Sequence, residues 1–159
     1  MLPPPERRLQ TLAAVLQVPE SFPATAWLCA PPRLIGWQPE SPAAVLITAA
    51  PGQAVPSPPG LVRTLFMDEV QLLISRLLLQ VPGATAALRV QTLHRYKNHD
   101  EFPALTSQPD ELALHLADAV RAGSLPAHQA LAHFRRYFSH FTLEAARHIL
   151  TQAMLRGGA

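Results

Sequence analysis

Seventeen of the 159 residues are proline, and they are not scattered evenly. A proline fixes its own φ, lacks an amide donor, and breaks any helix interior or central strand that it enters. Proline clusters therefore mark where regular elements cannot run. They lie at residues 3–5, 31–32 and 51–59, so the first half of the chain reads as short elements joined by stiff links.

The spacing of Leu9, Leu12, Ala13 and Leu16 on one face predicts a helix over 6–17. Pro5 suits its first turn and Pro19 marks its end. Three short apolar segments follow, at 25–30, 34–38 and 43–49. Trp27, Leu28, Ile35, Trp37, Val45, Leu46 and Ile47 give them strand character, and they read as an antiparallel meander. The Pro31-Pro32 link does not suit a two-residue hairpin, which leaves the register there open. Residues 51–60, with Gly52 and Gly60 among the prolines, read as an exposed, semi-rigid loop.

Residues 61–80 carry two apolar stripes at helical spacing. One is Phe66, Val70, Leu73 and Leu77; the other is Leu61, Leu65, Leu72 and Leu79, nearly opposite. A surface helix needs only one apolar face. The pattern predicts a central helix packed on both sides, within the chain or against a second copy. Leu61, Leu65, Leu72 and Leu79 are thus the candidate interface of a homodimer. Pro82-Gly83 ends this element. Alternation of Leu88, Val90 and Thr92 with Arg89, Gln91 and Leu93 predicts a strand over 86–96, followed by a polar loop over 97–107. Three amphipathic helices complete the chain: 108–122, capped by Ser107 with Asp110 three residues on, then 126–138, then 143–156 capped by Thr142.

The expected architecture is α+β, in the order α-β-β-β-α-β-α-α-α. Residues 1–106 form a core with a small, mostly antiparallel sheet, and 107–159 form a helical segment packed on it. This order resembles the core of restriction-endonuclease-like nucleases, which implies acids and a lysine on adjacent strands to hold a divalent metal and activate water. Here residues 43–49 hold neither, and Glu40 stands alone. The first five elements also look like a double-stranded-RNA-binding domain, which implies a lysine cluster where this chain has Leu61-Val62-Arg63-Thr64. Small dimeric secretion chaperones share a comparable order. One order common to three unrelated groups assigns none of them.

With 48% hydrophobic and 15% charged residues, wholesale disorder is excluded. No apolar run approaches the roughly 18 residues of a bilayer span. The opening Met-Leu-Pro-Pro-Pro-Glu-Arg-Arg lacks the apolar core of a signal peptide. The lone Cys29 excludes an intrachain disulfide and reads as a small buried strand residue in a reducing compartment. A cytoplasmic protein without a membrane partner is expected.

Net charge is only +2, but it is unevenly placed. From Arg121 onward five arginines and four histidines face a single acid, Glu144. Arginine offers a planar fork suited to phosphate or carboxylate. Its excess over the single Lys97 also follows from GC-rich codons, as do the many alanines, leucines and prolines. Arg121 and Arg156 sit near helix ends, where a cation complements the dipole without any ligand. The candidate nucleic-acid contacts are therefore Arg95, Lys97, His128, Arg135, Arg136, Arg147 and His148, meeting a DNA or RNA backbone without reading bases. Ser139-His140-Phe141 links two helices as in helix-turn-helix proteins, yet the first is long for that motif and no recognition helix stands out. Histidine side chains charge below about pH 6.5, so anion binding is expected to strengthen on acidification.

Two other clusters hold ligand-type side chains. His94, His99, Asp100 and Glu101 lie within eight positions, and His99 and Asp100 with His94 are the metal candidates. Arg95, Tyr96, Lys97 and His99 in the same stretch also fit a phosphate-facing patch with one stacking ring. Glu111, His115 and Asp118 share a helix face opposite Leu112, Leu116 and Val120, where a solvated stripe is expected anyway. There is no glycine-rich phosphate loop, nucleophile elbow or paired-Cys motif. The expectation is a binding protein without a cofactor, nucleic-acid-associated first. A dimeric protein-interaction or chaperone-like adaptor comes second, and a metal-dependent enzyme third.

Overall fold

The computed structural model describes residues 9–32, 34–47, 57–102 and 104–157. The chain divides into two compact units: residues 1–75 with 89–102, and residues 76–88 with 103–159.

The first unit is built on a four-stranded antiparallel sheet. Its strands are β1 (Gln10–Thr11), β2 (Trp27–Ala30), β3 (Pro42–Leu46) and β4 (Val62–Phe66), in the spatial order β1-β3-β2-β4. Leu28 pairs with Val45 on one side and with Leu65 on the other, and β2 is irregular between Leu28 and Cys29 where it meets β4. Helix α1 (Leu12–Gln17) follows β1 directly. Thr11 caps it by accepting the Ala14 amide at 3.1 Å, and Leu12, Val15 and Leu16 are buried. Of the helix expected over 6–17, residues 6–8 lie outside the described residues and the start is the β1 bridge.

The α+β class, the antiparallel sheet and the C-terminal helical segment are as expected; several elements are not. Residues 34–38 form no strand. Pro31, Pro32 and Pro39 remove ladder donors on both sides, and the Trp37 indole is instead buried by donating to the Pro31 carbonyl at 2.9 Å. Leu34 and Ile35 are exposed. Residues 48–49 of the expected third strand lie outside the described residues.

The larger correction concerns 61–80. Its first part is β4 and only Met67–Gln80 is helical, as α2. Val62, Thr64 and Phe66 favour a pleated strand, and β4 pairs with β2 from Val62 to Phe66. The helix then opens on Asp68 and Glu69, acids suited to an N-terminal turn. Its first amides donate outward, Met67 to the Ala26 carbonyl at 2.8 Å and Asp68 to Ala24 at 3.1 Å. Leu61 and Leu65 are therefore buried around a strand, while Leu72 and Leu79 are exposed on a helix. The four do not form one stripe. The pattern that suggested a helical dimer interface is two different elements read with one period.

Residues 86–96 are not a strand either. They belong to α3 (Ala86–His99), whose first turn is capped where the Leu88 amide donates to Thr85 Oγ1 at 3.2 Å. The alternation failed because Arg89 and Thr92 are buried as well as Leu88, Val90 and Leu93. Arg89 donates to the Leu16 carbonyl at 2.7 Å, which allows its burial.

The second unit contains α4 (Pro109–Arg121), α5 (Ala127–Tyr137) and α6 (Leu143–Gly157). Thr142 caps α6 through the Ala145 amide, as expected. Ser107 does not cap α4: its hydroxyl donates to the Ala104 carbonyl, and Gln108 holds the cap position without a side-chain bond. Helix α4 ends on Gly123 at φ 78°, with the Gly123 amide on Val120 and the Ser124 amide on Ala119, both at 3.0 Å. Leu112, Leu116, Ala130, Phe134, Phe138 and Ala146 are buried. The Phe134 and Phe138 rings lie 5.0 Å apart, and each such ring contributes roughly 1.5–3 kcal/mol by burial. Helix α5 also satisfies the end of α2: His133 Nε2 donates to the Gln80 carbonyl at 2.7 Å and Tyr137 to Leu79 at 3.3 Å.

Candidate functional site

The seven cationic candidates fall into two groups of different character. Arg95 and Lys97 belong to the first unit and are engaged there. Arg95 pairs with Glu101 at 3.0 Å, and Lys97 Nζ donates to the Thr64 carbonyl of β4 at 2.7 Å. His128, Arg135, Arg136, Arg147 and His148 all belong to the second unit, and all five are exposed. Arg135, Arg136 and Arg147 have no ion-pair partner among the described residues.

That freedom follows from the local sequence. Helix α5 contains no acidic residue, and both arginines stand in its last turn. A cation there complements the helix dipole, but nothing else holds it. Arg121 differs: it pairs with Asp118 and donates to the Met154 carbonyl at 2.9 Å, so its charge serves the end of α6. Arg121 stands in the last turn of α4, as its place near a helix end implied, and in addition reaches the end of α6.

The cations of α5 and α6 do not all share one hollow. Arg147 and His128 line an open groove of about 370 Å³ between α4, α5 and α6. His148 lies with Arg156 and Asp110 in a smaller depression of about 160 Å³ between α4 and α6. Neighbours in sequence, Arg147 and His148 thus open into different hollows. The groove was missed in the sequence because the amphipathic pattern of 143–156 puts Leu150 and Met154 on the apolar face of that helix, where full burial is expected. They are only half-buried, with Leu131 of α5 and Val120 of α4 beside them.

The ligand-type clusters dissolve on inspection. His94 lies tilted against Trp37 with ring centroids 5.1 Å apart, and its Nε2 lies 2.8 Å from Asn98 Nδ2. His99 ends α3, and Asp100 takes a positive φ of 52° as the chain leaves the helix. Glu101 is on Arg95. Arg95 and His99, four apart, share a face of α3, but Lys97 points away from it onto β4 and Arg95 is paired with Glu101, so Arg95, Tyr96, Lys97 and His99 do not present one patch. Asp118 is taken by Arg121, and burial pushes His115 below the ordinary imidazole value, with Glu111 pulling it back up. Among the described residues no three His, Cys, Asp or Glu side chains are placed to hold a metal ion. Cys29 is fully buried in β2, and that burial raises its thiol against the opposing pulls of the Ser57 hydroxyl and Arg63. No helix among the described residues is long and apolar enough to cross a membrane.

No protein-family model, curated protein or solved structure matches this chain.

Proposed function

We propose that this chain is a nucleic-acid-associated binding protein that meets a phosphate backbone through the exposed cations of α5 and α6. The observation that carries the reading is the pair Arg135 and Arg136: adjacent, exposed, without an ion-pair partner among the described residues, on a helix devoid of acids. Unpaired guanidinium forks of this kind suit phosphate oxygens. Arg147 extends the positive surface onto α6, with the imidazoles of His128 and His148 beside it as hydrogen-bonding groups. Their division between two hollows favours contact with a backbone over insertion of one reading element into a groove, so binding is insensitive to base sequence.

The dimeric-adaptor reading rested on Leu61, Leu65, Leu72 and Leu79 as one stripe, and it loses that support with the stripe. Fluorescence anisotropy with unrelated duplex and single-stranded oligonucleotides at low salt tests the proposal. Wild type binds all of them with similar affinity, and Arg135→Glu with Arg136→Glu binds none. Absence of binding by the wild type at low salt would remove the proposal.

A further inference from the structure

The groove between α4, α5 and α6 has a chemistry of its own. Its walls are aliphatic, from Val120, Leu131, Leu150 and Met154 together with alanines of α4 and α5. Among the described residues three polar side chains line it, His128 from α5 with Arg147 and Thr151 from α6, and no carboxylate does. A volume of about 370 Å³ holds on the order of a dozen water-sized groups. Small-molecule sites begin at about 300 Å³ and combine an apolar lining with a few convergent polar groups.

We infer that this groove binds a single-chain carboxylate amphiphile, its hydrocarbon chain along the aliphatic walls and its head on Arg147. Charge complementarity selects that occupant. Arg147 is exposed and has no ion-pair partner among the described residues, and its fork matches a carboxylate in two parallel bonds. His128 and Thr151 add donors from both flanking helices. A neutral chain leaves Arg147 unanswered. A bare anion leaves the aliphatic walls wet. Arg147 and His128 serve both readings, but this inference is carried by the groove and the proposed nucleic-acid contact by Arg135 and Arg136, so variants at Ala127 and at Arg135 with Arg136 tell their failures apart.

Calorimetric titration with decanoate, decanol and acetate, each kept below aggregation, tests it on the full chain. Decanoate binds at one saturable site, decanol about tenfold more weakly for want of the charged hydrogen bonds, and acetate not measurably. Arg147→Gln weakens decanoate about tenfold and leaves decanol unchanged. Ala127→Phe, at an exposed position on the groove's edge, blocks both ligands without unfolding the chain. Arg135→Glu with Arg136→Glu leaves decanoate binding intact. No decanoate binding by the wild type, equal binding of decanoate and decanol, or binding indifferent to both Arg147→Gln and Ala127→Phe overturns the inference.

Discussion

Gly83 and Gly123 make a matched pair for weighing backbone conformation against steric space. Both hold positive φ, 74° and 78°. An alanine at either position pays the left-handed penalty of roughly 1–2 kcal/mol. They differ in what the new methyl meets. At Gly123 nothing lies within 4 Å, whereas at Gly83 the Cβ comes to 2.5 Å from the Ser124 carbonyl oxygen and 3.0 Å from its carbon. Ser124 cannot retreat cheaply: its amide donates to Ala119, and its hydroxyl lies 2.6 Å from the Gly83 carbonyl. Forcing atoms into such a contact adds roughly 1–3 kcal/mol. Gly123→Ala should therefore cost about 1–2 kcal/mol and Gly83→Ala about 2–5 kcal/mol. Urea unfolding followed by far-ultraviolet circular dichroism measures both, provided the denaturant slope is unchanged. Equal losses in the two variants would refute the packing of the Gly83 turn against Ser124.

Three further outcomes follow from the buried groups. His115 and His133 are both held below the ordinary imidazole value of 6.5, chiefly by burial, with the charge of Arg136 also lowering His133. The unfolded chain then binds more protons than the folded one, so stability is full above pH 6.5 and falls as pH drops from there toward the lowered values. Melting temperatures from pH 8 to 5 should show that decline, and His115→Gln should lessen it, leaving the part due to His133. Phe134 is fully buried, and Phe134→Ala should cost about 3–5 kcal/mol in the same urea assay. Cys29, buried and with its thiol raised, should resist a thiol reagent in the folded protein and react at once in denaturant.

Much of the helical half was legible in the sequence because each of α4, α5 and α6 has one apolar face and polar ends. Thr142 and Gly123 mark helix ends whose bonds the structure supplies. The sheet half was harder for a physical reason: short buried elements show no clean period. Val62-Arg63-Thr64-Leu65-Phe66 runs straight into Met67, with no turn residue between strand and helix, so one helical period spanned both. In α3, two polar side chains, Arg89 and Thr92, are buried, Arg89 through a bond to the Leu16 carbonyl that only tertiary structure provides, and burial without apolarity mimicked alternation. Thr85, a cap following Pro82-Gly83, was the available signal for a helix there. Among candidate residues, the charge surplus on α5 and α6 was readable by counting, whereas the engagement of Arg95 and Lys97 depends on partners six and thirty-three positions away. Nor could spacing alone place Arg147 and His148 in separate hollows.

The central claim is that free arginines on α5 and α6 hold a phosphate backbone. Its most direct test is the dependence of duplex affinity on salt, compared between wild type and Arg135→Gln with Arg136→Gln. Each phosphate contact contributes about 0.9 to the slope of log affinity against log salt, so losing two should reduce the slope by about 1.8. That reduction, alike for unrelated sequences, is the predicted result. An unchanged slope, or no wild-type binding at low salt, contradicts the claim.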